Sequence, residues 1–158
     1  LGIFLNNQMD DFAIKPGYPN IYGLIGGKIN KIKAEKRMLS SMSPTIIEKN
    51  NNFYMALGTP GGSTIITSVI QTILNVHEFN MNMEESVNSP RFHHQLFPDL
   101  IKIEKEKFND TVLVELENDG YNLEFVNPYG RVDGILALDC GCLDGGSDNR
   151  GNDYAIGF

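Results

Sequence analysis

The sequence holds no apolar run near the ~20 residues that cross a bilayer, so no membrane segment is expected in it. No signal peptide is recognisable either. Positive charge is scarce: 13 Lys and Arg stand against 20 Asp and Glu, a formal net charge of −7. Such a surface repels phosphate backbones, so nucleic acid is not an expected partner. The one basic stretch, Lys28, Lys31, Lys33, Lys36 and Arg37, reads as a solvated loop. Cys140 and Cys142 are the only cysteines, spaced too tightly for a comfortable disulfide to each other. With no His or Cys cluster beside them they make no zinc site. His77 stands alone at a helix end, and adjacent His93 and His94 point to opposite faces of an extended segment. No metal and no cofactor are therefore expected. The Gly-x-Ser-x-Gly elbow of many serine hydrolases and the lysine of a phosphate-binding P-loop are both missing. No internal repeat or domain boundary is visible.

What remains is an α+β pattern in a chain of 158 residues, 41% hydrophobic and 21% charged. Residues 1–158 are read as a single domain with its own core. Leu1–Asn7 reads as a buried strand. A strand at the first residue, without Met, reads as a processed or truncated chain. Asp10–Asn30 is a long loop rich in Pro and Gly, with Tyr18, Ile21, Tyr22, Leu24 and Ile25 apolar enough to pack over something. Pro44–Glu48 and Phe53–Leu57 read as a hairpin. A helix is expected from Thr64 to Glu78, capped by Ser63 or Thr64, with Ile66, Ile70, Ile73 and His77 on its main stripe. Ile65, Val69 and Val76 widen that stripe. Met83–Asn88 suits a short helix capped by Asn82 with Glu85 three residues on. Pro90–Pro98 reads as irregular. Leu100–Glu104 reads as a strand, Asp110–Asn118 as a helix closed by Gly120, and Asn122–Val126 and Val132–Leu138 as strands. The tail from Gly141 shows weak structure.

Three segments carry candidate chemistry. In Gly58-Thr59-Pro60-Gly61-Gly62-Ser63-Thr64, two adjacent glycines precede a helix and leave bare N–H groups at its positive end. Such a nest suits a carboxylate or a developing oxyanion. It equally suits an ordinary strand-to-helix turn. Asn6-Asn7-Gln8-Met9-Asp10-Asp11-Phe12 combines carboxylate and amide groups that fit an ammonium ion, or a self-satisfied polar turn. Arg37-Met38-Leu39-Ser40-Ser41-Met42-Ser43-Pro44 sets three hydroxyls before a strand, fit for a carboxylate or for a turn.

Taken in order, these segments resemble the γ-glutamyltransferase family. The resemblance also takes in Ser89-Pro90-Arg91-Phe92-His93-His94-Gln95. It is dense from Gly2 to about Glu104 and returns in Ser147-Asp148 and Arg150, where Asn149 stands in place of a family proline. It implies part of the small, catalytic subunit of an N-terminal-nucleophile hydrolase, here a truncated portion of the αββα sandwich. It implies a precursor that cleaves itself, exposing an N-terminal Thr that attacks the γ-glutamyl amide of glutathione or a related compound. The acyl group then passes to an amino acid, a peptide or water. By the same resemblance, Gln8 and Asp11 hold the substrate ammonium, and Ser40 and Ser41 its carboxylate. Gly61 and Gly62 form the oxyanion hole, and Pro16–Gly27 is a lid with Tyr22 as its gate. The nucleophile segment is expected upstream of Leu1, and a needed arginine on the large subunit of the same precursor. This chain alone is thus expected to be inactive. Family habit points to periplasm or cell exterior. Rival readings are a related acylase-type hydrolase and an inactive module that binds γ-glutamyl compounds or assists assembly.

Overall fold

The computed structural model describes residues 2–3, 5–105 and 107–157. The chain separates into two compact units, Leu1–Met42 and Ser43–Phe158.

The first unit has little regular structure. Two short 3-10 turns, Gln8–Asp11 and Lys28–Asn30, sit at either end of the long loop. Ala13 donates to Asn30 O at 2.9 Å, and Ala13 and Lys31 form an isolated parallel bridge. The loop between them closes on itself. Gly17 donates to Gly26 O at 3.0 Å, and Asn20 exchanges backbone bonds with Leu24 and Gly23. The expected strand Leu1–Asn7 is not formed at residues 2–3 and 5–7, where Ile3 and Leu5 are exposed; Leu1 and Phe4 lie outside the described residues. An apolar run becomes a strand only where a neighbour completes its hydrogen bonds, and no strand of this unit pairs with it among the described residues.

Among the described residues of the second unit, seven strands form two sheets. They are β1 (Thr45–Lys49), β2 (Asn52–Gly58), β3 (Phe92–His93), β4 (Ile101–Glu104), β5 (Leu123–Val126), β6 (Asp133–Ala137) and β7 (Leu143–Gly146). One sheet runs β1-β2-β6-β7, antiparallel throughout. The other runs β3-β4-β5, with β4 and β5 parallel. Asn50 and Asn51 both take positive φ in the β1–β2 turn, the conformation that a two-residue hairpin needs. Alternation sets the core face: Met55 and Leu57 on β2 oppose Leu136 and Gly134 on β6.

Among the described residues the unit also holds three helices: α1 (Thr64–His77), α2 (Met83–Asn88) and α3 (Asp110–Asn118). Ile65, Val69 and Val76 of α1 are buried with Met55 and Leu57, each worth about 1.5–3 kcal/mol of burial. The expected main stripe is corrected here. Ile66 and Ile70 are 61% and 50% exposed, and the core takes the face of Ile65, Ser68, Val69, Thr72 and Val76. Small Ser68 and Thr72 let this face approach closely, which apolar spacing alone does not reveal. α2 forms its capping box, Asn82 Oδ1 accepting from Glu85 N at 2.8 Å and Glu85 Oε2 from Asn82 N at 3.1 Å. Met83 packs against two glycines of the sheet. A Cβ at paired Gly134 or Gly146 would come within 2.6 Å of Met83 atoms. Asn109 caps α3 through a 2.8 Å bond from Thr111 N, and Gly120 (φ 91) closes it. Two further corrections concern segments read as irregular or weak. Phe92–His93 pairs with β4, and Leu143–Gly146 pairs with β6. Both are short, and the second is rich in glycine, so neither carries a strand signal without its partner.

Candidate active site

Five of the expected site residues, Gln8, Asp11, Tyr22, Ser40 and Ser41, belong to the first unit. Gln8 and Asp11 open and close one 3-10 turn. Ser41 Oγ donates to Asp11 Oδ1 at 2.9 Å, so the acid and this serine meet across thirty positions of sequence. Ser40 Oγ accepts from Met42 N at 3.3 Å, which leaves its own proton to serve another acceptor. Asn30 is the clamp that sequence reading missed. Its Nδ2 donates to Asp11 O at 2.7 Å, and its Oδ1 accepts from Leu39 N at 3.1 Å. One side-chain amide thereby joins the segments that carry the acid and the serines. Its signal was only a polar residue at the end of a loop. Asn20 plays the same part in the loop tip, accepting from Tyr22 N and Leu24 N at 3.0 Å each. Tyr22 and Ile21 are 48% and 84% exposed.

Gly61 and Gly62 belong to the second unit, at the turn from β2 into α1. Gly61 has φ +143 and Gly62 φ +59. A Cβ on Gly61 would fall 2.5 Å from Thr64 Oγ1, so this position excludes any side chain. The backbone N–H groups of Thr64 and Ile65 are taken up by Gly61 O and Gly62 O, both at 3.2 Å. Those of Gly61 and Gly62 meet no acceptor among the described residues. The expected side-chain cap is corrected: Ser63 occupies the N-cap position without capping, and Thr64 Oγ1 donates to Gly61 O at 3.0 Å. Ser63 has helical backbone angles (φ −62, ψ −23) rather than the extended ones a capping side chain requires. The helix start is thus left with bare donors at its positive end.

The turn is held from beneath. Thr59 Oγ1 donates to Pro60 O at 2.7 Å and accepts from Arg131 N at 2.9 Å. Next to Arg131, Gly130 Cα lies 3.9 Å from the place a Gly61 Cβ would take. Arg91 secures this strap, donating from Nη1 to Tyr129 O at 3.1 Å and from Nη2 to Val87 O at 2.6 Å. Asp148 accepts from Arg91 Nη2 at 2.6 Å and Val132 N at 2.8 Å. Arg150 completes the cluster, donating to Asp148 Oδ1 at 3.0 Å and Glu104 Oε1 at 2.7 Å. Burial alone would raise the Asp148 carboxyl. The N–H groups of Val132 and Arg150 and the Arg91 charge outweigh it and hold the group below its ordinary value. Burial, then the Arg150 charge, pulls the Arg91 guanidinium below its own. Sequence reading placed Arg91, Asp148 and Arg150 in resembling strings but gave them no role, and it passed over Glu104. His93, also buried, bonds Thr67 Oγ1 and Gln95 Oε1 at 2.9 Å each, a structural use, while His94 meets Asp99 at 3.2 Å.

The chain as a whole is similar to proteins of one family. The profile of the family described as gamma-glutamyltranspeptidase matches residues 1–158. The glutathione hydrolase proenzyme of Escherichia coli is 46% identical over 158 residues, covering 99% of this chain and 27% of that protein. That of Pseudomonas aeruginosa is 40% identical over 158 residues, covering 98% of this chain and 28% of that protein. The chain therefore spans about a quarter of the length of these curated relatives. A crystal structure of a mutant Helicobacter pylori γ-glutamyltranspeptidase superposes with a TM-score of 0.89 at 48% identity, covering 95% of this chain and 82% of that one. With an α+β fold of the N-terminal-nucleophile hydrolase type and a family match along its whole length, the chain belongs to the γ-glutamyltranspeptidase family.

Proposed function

We propose that the protein containing this chain is a γ-glutamyltransferase that cleaves the γ-glutamyl bond of glutathione and related compounds. The observation that carries this reading is the bare amide pair of Gly61 and Gly62 at the start of α1, in a chain of this family. The nucleophile in this reading is a Thr outside these 158 residues, freed by self-cleavage of the precursor. As it attacks, the amide oxygen gains negative charge. The two N–H groups and the helix dipole stabilise that charge without reorganising, because the turn is pinned by Thr59. The γ-glutamyl-enzyme is then released to water, an amino acid or a peptide.

In the first unit, Asp11 supplies charge for the substrate ammonium and Gln8 a directed acceptor. Ser40, with its proton uncommitted, donates to the substrate carboxylate. Ser41 gives its proton to Asp11, so it first orients that acid and reaches the carboxylate only if its hydroxyl turns. Tyr22 serves as gate on a loop whose tip Asn20 keeps in shape. The large subunit of the same precursor is the proposed partner. Periplasm or exterior is the proposed compartment, on resemblance to the family. No helix among the described residues is long and apolar enough to cross a membrane.

The test is hydrolysis of a γ-glutamyl anilide by the full-length gene product, with and without a dipeptide acceptor. Self-cleavage and γ-glutamyl turnover are expected, and both should vanish when the freed Thr is replaced by Ala. A correctly folded, full-length protein with no γ-glutamyl turnover overturns the reading and leaves an inactive binding module.

A further inference from the structure

The tip of the β6–β7 hairpin is Leu138-Asp139-Cys140-Gly141-Cys142. It is stapled by two backbone bonds, Gly141 N to Leu138 O at 2.9 Å and Leu138 N to Cys142 O at 3.0 Å. Two extended residues span about 6.6–7.2 Å, at or past the far limit of about 4.4–6.8 Å for the Cα atoms of a disulfide. Gly141 solves this by adopting φ +79, which folds the two cysteines back towards each other. Cys142 N then donates to Cys140 Sγ at 3.3 Å, which holds that sulfur back over the Cys142 backbone. Both thiols are free and open to solvent. Cys140 Sγ is therefore already turned back onto Cys142 by a bend that is made before any oxidation, outside the β6–β7 ladder.

We propose that Cys140 and Cys142 form a dithiol–disulfide exchange site for low-molecular-weight disulfides, with Cys140 as the attacking sulfur and Cys142 as the resolving one. This assignment does not depend on the reading of the Gly61 turn. The direction of attack follows from the hydrogen bonds. Cys140 receives bonds from the Cys142 side chain and backbone, which lower its thiol below the ordinary value. Cys142 keeps its proton as the hydrogen-bonding partner of that sulfur and faces the Cys140 charge, so its own thiol is raised. In the first step Cys140 thiolate attacks one sulfur of the disulfide. Its S–S bond breaks, and one thiolate leaves and takes a proton. In the second step Cys142, its proton lost to solvent, attacks the Cys140 sulfur of the mixed disulfide and expels the second thiol. Two protein thiols are oxidised by two electrons, and one small disulfide is reduced to two thiols. The small ring that results is strained, so excess thiol reopens it; such bonds are the labile ones.

The experiment uses the full-length gene product with the proposed nucleophilic Thr replaced by Ala, so that glutathione is not cleaved. It is equilibrated anaerobically with glutathione disulfide and then alkylated. In this background, wild type means that both cysteines are present. Mass spectrometry reads the tryptic peptide 132–150, which holds Cys140 and Cys142 and no other cysteine. The wild-type peptide should lose two hydrogens, resist alkylation, and recover both thiols on return to reduced glutathione. Cys142→Ser should stop at one glutathione on Cys140. Cys140→Ser should react about ten-fold more slowly than Cys142→Ser. Full alkylation of both thiols after excess glutathione disulfide overturns the proposal, as does one glutathione on each cysteine of the wild type. Equal rates for the two serine variants overturn the assignment of Cys140 as the attacking sulfur.

Discussion

Arg91 Nη2 and Asp148 Oδ2 meet at 2.6 Å with side chains only 2% and 0% exposed, although fifty-seven positions separate them. Their bond closes the tail onto the strap that runs under the Gly61 turn, because Asp148 also accepts from Val132 N. Removing one partner leaves a buried charge without its counterion, which costs about 3–5 kcal/mol. Asp148→Asn in the full-length protein should lower thermal stability by that order, and Arg91→Lys should too, since a point charge cannot serve Tyr129 O, Val87 O and Asp148 together. Thermal unfolding checks both. An unchanged midpoint in either variant removes the strap from the account.

The same carboxylate gives the fold an acid limit. Its folded pKa lies below the ordinary value, so the unfolded chain binds the proton first. The stabilisation is present above the unfolded pKa of about 3.9 and is lost as pH falls through the lower folded value. Stability measured from pH 7 downwards should fall in that acid window. In Asp148→Asn the acid limb should be flatter. Equal slopes for the two proteins would assign the acid limit to other carboxyls.

Ser68 should be better replaced than kept, as far as stability goes. Its side chain is fully buried on α1, and its Oγ has no hydrogen-bond partner among the described residues. An orphaned buried hydroxyl costs about 1–3 kcal/mol, and Ala removes the group without leaving a large hole. Ser68→Ala should raise the melting temperature. A fall of the size seen for a lost hydrogen bond would mean that the hydroxyl has a partner in solution.

The glycine turn predicts a split between turnover and affinity. Gly61→Ala forces a Cβ against Thr64 Oγ1 and shifts the bare amides. Gly62→Val obstructs approach to them. Loss of one oxyanion donor costs about 2.7–4 kcal/mol, so kcat should drop about 10²–10³-fold for Gly61→Ala, with KM little changed. Gly62→Val should abolish turnover. Activity retained in Gly62→Val would place the oxyanion site elsewhere.

Asp11 and Ser41 predict an affinity effect. Hydrogen bonds to charged groups are worth about 1.5–3 kcal/mol, so Asp11→Ala should cut kcat/KM for γ-glutamyl donors by about 10–150-fold. Ser41→Ala should have a smaller effect in the same direction, because its proton goes to Asp11. Neither should shift the melting temperature much, since both residues sit in the irregular first unit. Lost stability with normal turnover would contradict the ammonium role.

Local chemistry made several elements legible without coordinates. Asn82 and Glu85 announce the α2 capping box, Gly120 ends α3, and the polar link Lys49-Asn50-Asn51-Asn52 between two β-rich runs marks the hairpin, because each acts on neighbours within a few residues. The candidate site was legible to a similar depth. The Gly61-Gly62 pair stands out because only glycine tolerates that backbone. Asp11 and Ser41 stood out as residue types, yet their 2.9 Å bond depends on Asn30 bridging two distant segments.

Residue types alone specified the β1–β2 turn, the α2 capping box, the Gly120 stop of α3 and the glycine pair at the head of α1, since those follow from backbone sterics and short-range hydrogen bonding. Long-range packing was needed to bury one face of α1 over the other, to make Leu143–Gly146 a strand, and to gather Arg91, Glu104, Asp148 and Arg150 into one cluster. A strand without its partner has no completed ladder, and a helix with two apolar faces has no preferred one. A charge becomes a buried ion pair only when chain closure brings its counterion within bonding distance.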